Sequence, residues 1–299
     1  MQHDRTFSPC YGEAVELVPD VRRLTCNNPS PFTFHGTNTY IVGSTTCVVI
    51  DPGPVNRAHL DAIAAATQGA KVEAILVTHT HLDHSPAARE LKKLTGAPIV
   101  GCSPHRASRP LAEGESNSFG DSSDLSHQAD NELSDGDQLQ FGELTLRAIE
   151  TPGHTANHLS FALENSPYMF SGDHVMGWST SVVAPPDGSM RAYMNSLDVL
   201  LLEKADHYFP GHGGAVQNAK SYVMDLRDHR LQREGSILQA LASGASSISG
   251  LVETLYVGLD PKLTGAAGLS VLAHLEDLQT RGLVERSVEG PLQLYRLAS

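Results

Sequence analysis

Four residues able to hold a metal or move a proton fall within one six-residue segment: His79, His81, Asp83 and His84. In an extended loop, alternate side chains point the same way. His79 and His81 can therefore share one metal, leaving Asp83 and His84 to a second. More such residues recur downstream, each at a turn. His154 follows Thr151-Pro152-Gly153, Asp173 follows Ser171-Gly172, and His212 follows Pro210-Gly211. Small residues ahead of each one let the backbone bend sharply beside a bound ion. The chain carries 15 histidines, and histidine is the commonest metal ligand. The chemistry such a set would perform is hydrolysis, because metal-activated water is a nucleophile near neutral pH.

Each of these segments follows a stretch that reads as a strand, and loops at strand ends are where a rigid sheet holds ligands in place. Residues 39–42 and 47–50 are apolar and end at Asp51-Pro52-Gly53-Pro54, a turn signal. A helix pattern covers 59–67. The apolar run 71–77 reads as a buried strand leading into His79. The next helix is expected to begin at Ser85-Pro86, with Ser85 as cap and Pro86 at the first position. Further strands are expected at 138–141, 144–149, 159–163, 168–170 and 206–209. The acidic, Ser-rich stretch 106–135 lacks periodicity and is expected to be a long surface loop. After about 235 the pattern changes. Ile248, Leu251, Val252, Leu255 and Tyr256 share one helical face, and Val271, Leu272, Leu275 and Leu278 mark a second helix. Segments 283–286 and 292–295 flank Gly290-Pro291 and read as a hairpin. The expected organisation is one domain over 1–234 and a small winged-helix module over 235–299.

The segments around His79–His84, His154, Asp173 and His212 together resemble the signature of the metallo-β-lactamase superfamily. The run from Gly172 to Val183, the early Gly36-Thr37-Asn38-Thr39-Tyr40 and the C-terminal winged helix are similar to the beta-lactamase-like protein 2 family. This resemblance implies an α/β (α+β) fold, a four-layer αββα sandwich with the winged helix appended. It implies a dinuclear centre in which His79, His81 and His154 hold one metal, Asp83, His84 and His212 hold the other, and Asp173 bridges them. Donors of this kind suit two zinc ions, with iron or manganese also compatible. Asp83 can additionally accept a proton from the attacking water. His174 is either a general acid for the leaving group or a supporting residue, and His158 supports the fold near the site. His105, His127, His229 and His274 have no motif context. True metallo-β-lactamases typically lack an aspartate matching Asp173, and nothing here matches the inserted domain of the β-CASP nucleases.

Composition narrows the substrate. Net charge is −13, and residues 110–146 contain acidic groups but no Lys or Arg. Such a stretch repels a phosphate backbone. The winged helix has four basic against six acidic residues over 235–299, so it lacks the footprint of a nucleic-acid reader. The expected reaction is hydrolysis of a small ester, thioester or lactone. The alternative is an endoribonuclease acting on single-stranded RNA, the activity of the best-known relative that the resemblance brings in. Its phosphate contacts would have to come from outside 110–146, where the nearest thing to a cluster is Arg227, Arg230 and Arg233 along one probable helix; the alternative is that these are solvated or ion-paired arginines. A non-catalytic binding protein is disfavoured because all seven ligand positions are filled. Cys10, Cys26, Cys47 and Cys102 form no C-x-x-C pair, which points to isolated thiols. No apolar run approaches the roughly 20 residues that cross a bilayer. No apolar signal core follows the polar start, so the expected location is cytoplasmic.

Overall fold

The computed structural model describes residues 3–117, 119–289 and 292–298. Its first sheet runs in chain order: β1 (Val15–Val18), β2 (Val21–Thr25), β3 (Asn38–Gly43), β4 (Thr46–Ile50), β5 (Lys71–Val77), β6 (Ile99–Gly101) and β7 (Asn131–Glu132). The second holds β8 (Gln138–Phe141), β9 (Leu144–Glu150), β10 (Leu159–Leu163), β11 (Tyr168–Gly172), β12 (His207–Pro210) and β13 (Val216–Gln217), each again beside the next. Parallel neighbours need a crossover. Helix α1 (Arg57–Ala66) supplies it between β4 and β5, α2 (Ala87–Thr95) between β5 and β6, and α3 (Met190–Leu202) between β11 and β12.

Alternation along the second sheet sets the layers. Phe161 and Phe209 point into a core shared with the first sheet, whereas their neighbours Ala162 and Tyr208 pack under α3 and α4 (Ala219–Ala242). That period of two is the pleat of a strand buried on both faces. With Leu60, Ile63 and Leu91 of α1 and α2 packed on the first sheet, the result is the expected αββα order. A third core joins Ile237 and Leu241 of α4 to α5 (Ile248–Leu255), α6 (Thr264–Thr280) and the antiparallel pair β14 (Val284–Glu289) and β15 (Leu292–Leu297). These form the winged helix. The expected turn at Gly290-Pro291 lies outside the described residues. The boundary expected between 234 and 235 falls inside α4, whose Val223 and Leu226 belong to the second core and whose Ile237 and Leu241 belong to the third.

Two local expectations need correction. Helix α2 begins at Ala87 and lacks a side-chain cap. The Ser85 hydroxyl instead donates to Asp124, at 3.1 Å. The stretch 106–135 is not a free loop. Backbone bonds from Leu82 to Ser122 (2.8 Å) and from Asp124 to Thr80 (2.7 Å) clamp it onto the His79–His84 segment, and its end pairs with β6 as β7. Three of its carboxylates are answered: Asp124 by Arg89, Asp130 by Lys92, and Glu115 by Arg109. Among the described residues, no helix is long and apolar enough to cross a membrane.

His274 of α6 is 1% exposed, and neither ring nitrogen has a hydrogen-bond partner among the described residues. Burial, reinforced by Arg230 and Arg233, pushes its pKa down to about 3. The unfolded chain therefore binds a proton near pH 6.5 that the folded chain refuses, so stability falls as pH drops below that value. The contribution at pH 5 is about 2 kcal/mol. Urea unfolding of His274→Leu is expected to show a correspondingly smaller loss between pH 7 and pH 5 than the parent; equal losses would refute this account.

Candidate metal centre

Strand β5 ends at Val77, and the chain turns at once into the histidine segment, so the sheet fixes where that segment starts. The turn is held by Asp51 at the end of β4. Its carboxylate accepts the Thr78 backbone N–H (2.8 Å), the Thr78 hydroxyl (2.7 Å) and Nδ1 of His84 (2.9 Å). With its proton given to Asp51, the Thr78 hydroxyl accepts from Nδ1 of His79 (3.0 Å). One buried carboxylate thus sets the ring orientation of two histidines. His154 donates Nδ1 to the Val182 carbonyl (2.6 Å), and His212 donates Nδ1 to the Gly36 carbonyl (3.1 Å). In all four rings Nδ1 is engaged by a bond pointing away from the cluster, and Nε2 is the atom that faces inward. A histidine that ligates a metal is oriented by this kind of bond at its other nitrogen.

The inward atoms converge. Nδ1 of His81 lies 3.1 Å from Nε2 of His79 and 2.9 Å from Nε2 of His154. Nε2 of His212 lies 3.3 Å from Nε2 of His84 and 3.2 Å from Asp83 Oδ2. Asp173 sits between the two groups, with Oδ1 3.5 Å from His84 and Oδ2 3.3 Å from His212 and 3.7 Å from His154. Two nitrogens bound tetrahedrally to one ion at about 2.0–2.1 Å stand roughly 3.3 Å apart. The convergence therefore has the spacing of a ligand shell. The cluster can hold metal: His79, His81 and His154 form one group of donors, His79, His84 and Asp173 a second, and Asp83, His84 and His212 a third. Burial and the neighbouring rings hold His79 and His81 well below ordinary histidine, His81 at about 3. For His84 and His212 burial also opposes charge, but the carboxylates of Asp83 and Asp173 outweigh it, raising His84 well above its usual value and His212 to about 9.

Backbone geometry explains the small residues seen in the sequence. A Cβ on Gly211 would overlap Asp173 Oδ1 and the His84 ring. Gly172 has φ of 48°, where side chains are strained, and lies against the His158 ring. His158 accepts the Asp173 backbone N–H at Nε2 (3.1 Å) while its Nδ1 meets the Thr151 hydroxyl (2.8 Å), and so it positions Asp173.

A cleft of about 350 Å³ opens onto this cluster. His81, Asp83, His154 and Asp173 form its floor, and Phe32, Leu82, Phe119, Met176 and Val182 supply apolar walls. Among the described lining residues none is Lys or Arg.

Two alternatives that the sequence leaves open are decided by this geometry. His174 does not reach the cleft. It is fully buried, its ring packs 4.5 Å from that of Tyr193, and neither nitrogen meets a polar group among the described residues. Adjacency to Asp173 in sequence sends it to the opposite side of the strand end, and a leaving group cannot touch it. The three arginines do not reach the cleft mouth either. Arg230 is 4% exposed, donates to the Ser181 carbonyl and lies over Tyr193. Arg227 pairs with Asp198, and Arg233 donates to the Leu255 carbonyl over Tyr256. Sequence reasoning passed over Asp51, although an aspartate at a strand end before Pro-Gly was visible as a turn.

Comparison with known proteins adds a consistent picture. The profile of the Metallo-beta-lactamase superfamily matches residues 32–212, and that of the Beta-lactamase associated winged helix domain matches 247–290. The chain is 30% identical to an atrochrysone carboxyl ACP thioesterase of Aspergillus chevalieri, over 82% of this chain and 78% of that protein. It is 29% identical to the beta-lactamase-like protein 2 homolog of Drosophila melanogaster, over 94% of this chain and 97% of that protein. A crystal structure of a beta-lactamase domain protein from Burkholderia ambifaria superposes with a TM-score of 0.81 at 22% identity, covering 98% of this chain and 96% of that one, a likeness of fold.

Removing the shared orienting carboxylate should loosen the cluster. Asp51→Ala is expected to weaken metal affinity about 10–100-fold, read by competition with a chromophoric chelator; unchanged affinity would contradict the assignment. His174→Phe is expected to keep turnover within about an order of magnitude, because losing a true general acid costs roughly 10²–10⁴-fold. A drop on that larger scale in a folded variant would restore His174 to the chemistry.

Proposed function

Because the chain belongs to the metallo-beta-lactamase superfamily, with the winged helix associated with it, we propose that it is a metal-dependent hydrolase of esters, thioesters or lactones. The observation that carries this reading is the cleft itself: an anionic and imidazole floor under apolar walls, with no Lys or Arg among its described lining residues to receive a phosphate. An uncharged acyl group suits such walls, since burying apolar surface contributes about 25 cal/mol per Å². The thioesterase activity named for the Aspergillus relative agrees with it.

In this proposal His79, His81 and His154 would hold one divalent ion and Asp83, His84 and His212 a second, with Asp173 available to both groups; zinc suits the donors, as iron or manganese would. The ions supply Lewis-acid polarisation of the carbonyl and activation of water. The chain's own residues do the rest. Asp83 lines the cleft with its side chain 27% exposed, so it can take a proton from the incoming water while its Oδ2 faces His212. Asp173, 8% exposed, is held by His158 and keeps the two halves of the cluster together. Phe32 and Phe119, whose rings meet edge to face 5.7 Å apart, form an apolar wall that thins the water around the scissile carbonyl.

Two measurements test the reading. Elemental analysis of purified protein is expected to give about two divalent ions per chain, and p-nitrophenyl and thioester substrates are expected to turn over in a metal-dependent way. Asp83→Asn should fold normally yet lose at least about a hundredfold in rate. Metal-free protein that metal does not activate would sink the proposal. Cleavage of labelled single-stranded RNA, without ester or thioester turnover, would replace it with the nuclease reading.

A further inference from the structure

The cleft does not end at its apolar wall. Phe32 and Phe119 also line a second hollow of about 460 Å³ on the far side, whose remaining walls come from the winged helix: Ile248 of α5, and Gly265, Ala266, Gly268, Leu269 and Leu272 of α6. Each hollow alone has the size of a small-molecule site, and the two adjoin at the shared aromatic pair. Lys262 is the one charged group among the described residues that line the second hollow. Glycine and alanine on the exposed first turns of a helix leave a trough instead of a ridge. A Cβ at Gly265 would meet nothing within 4 Å, so the trough there is open space.

We infer that the winged helix completes the substrate site, and that the apolar tail of an acyl substrate passes from the cleft over the Phe32–Phe119 pair into the trough along α6. This deepens the ester and thioester reading and rests on it for the identity of the head group. The occupant follows from the shared wall: a group with its carbonyl over the His/Asp floor has Phe32 and Phe119 beside it, and the surface beyond that pair is apolar. A nucleic-acid strand is a poor fit to the same path, which offers a single lysine for its phosphates. The winged helix then acts as a measure of tail length.

The test uses a series of p-nitrophenyl esters from acetate to dodecanoate with the full-length protein and Gly265→Trp. A Cβ at 265 meets open space, and circular dichroism checks the fold. The parent is expected to favour octanoate over acetate by at least about tenfold in kcat/KM, and Gly265→Trp to lose most of that preference. A second arm reads binding without turnover: dansyl-undecanoic acid should bind the parent saturably, and several-fold more weakly in Gly265→Trp and in Leu269→Arg. No chain-length preference in the parent, or a preference untouched by the variants, overturns the inference. If the parent hydrolyses no ester or thioester but binds the dansyl probe in a Gly265-dependent way, the hydrolase reading fails and the trough stands; absence of both binding and preference removes the trough. A dimer in sedimentation that Gly265→Trp dissociates would assign the trough to a second copy of the chain and overturn the proposal.

Discussion

Three bonds to the Asp51 carboxylate, from the Thr78 amide, the Thr78 hydroxyl and the His84 ring, tie the ends of two neighbouring strands to the metal-binding segment. The carboxylate is 2% exposed, and a buried charge is tolerated only when hydrogen bonds answer it. That requirement works in both directions. The sheet must bring Thr78 and His84 to Asp51, and once there they leave His79 and His84 no other ring orientation. The Nε2 atoms then face Asp173 and His212, which the second sheet delivers from the opposite side. Asn38 of β3 binds the sheets together at this point, donating to the carbonyls of Pro210 (3.0 Å) and Gly213 (2.8 Å) that flank His212.

How much of this was legible in the sequence depended on the range of the signal. The strand ends and the turns at His79, His154, Asp173 and His212 were readable because period-two patterning and small residues are local properties. So was the winged helix, whose helices carry their own apolar stripes. The failures are long-range. His174 and Arg230 look available in sequence, but their burial is decided by Tyr193 of α3, which covers both. The 106–135 stretch has no periodicity because its order comes from bonds to Thr80, Leu82 and Ser85, not from its own repeat. The extent of α4 was hidden because its apolar residues face two different cores in succession, which blurs a single stripe.

The same tertiary bonds explain why an acidic chain builds a joint between its two parts. Arg109, from the stretch before the acidic run, donates to Glu115 and to Glu276 of α6. Arg191 of α3 pairs with Asp277, and Arg281 pairs with Glu234 and Asp277. These pairs are partly exposed, and each contributes little by itself. Arg230 is different, since it is buried and holds the carbonyl of Ser181, next to the Val182 carbonyl that orients His154. Through it the packing of α4 against α6 bears on the shape of the cluster.

Helix α4 runs unbroken from Ala219 to Ala242, with Val223 and Leu226 under one core and Ile237 and Leu241 under the other. A helix shared in this way has no seam at which the chain can come apart. Truncation anywhere along it would remove α6 as well, and with it the Ala273 that packs in one core with Tyr193 of α3. The C-terminal segment is therefore a graft that has healed into the trunk. Proteases that pick out flexible linkers would find none between the two parts, and heat would be expected to melt them in a single step.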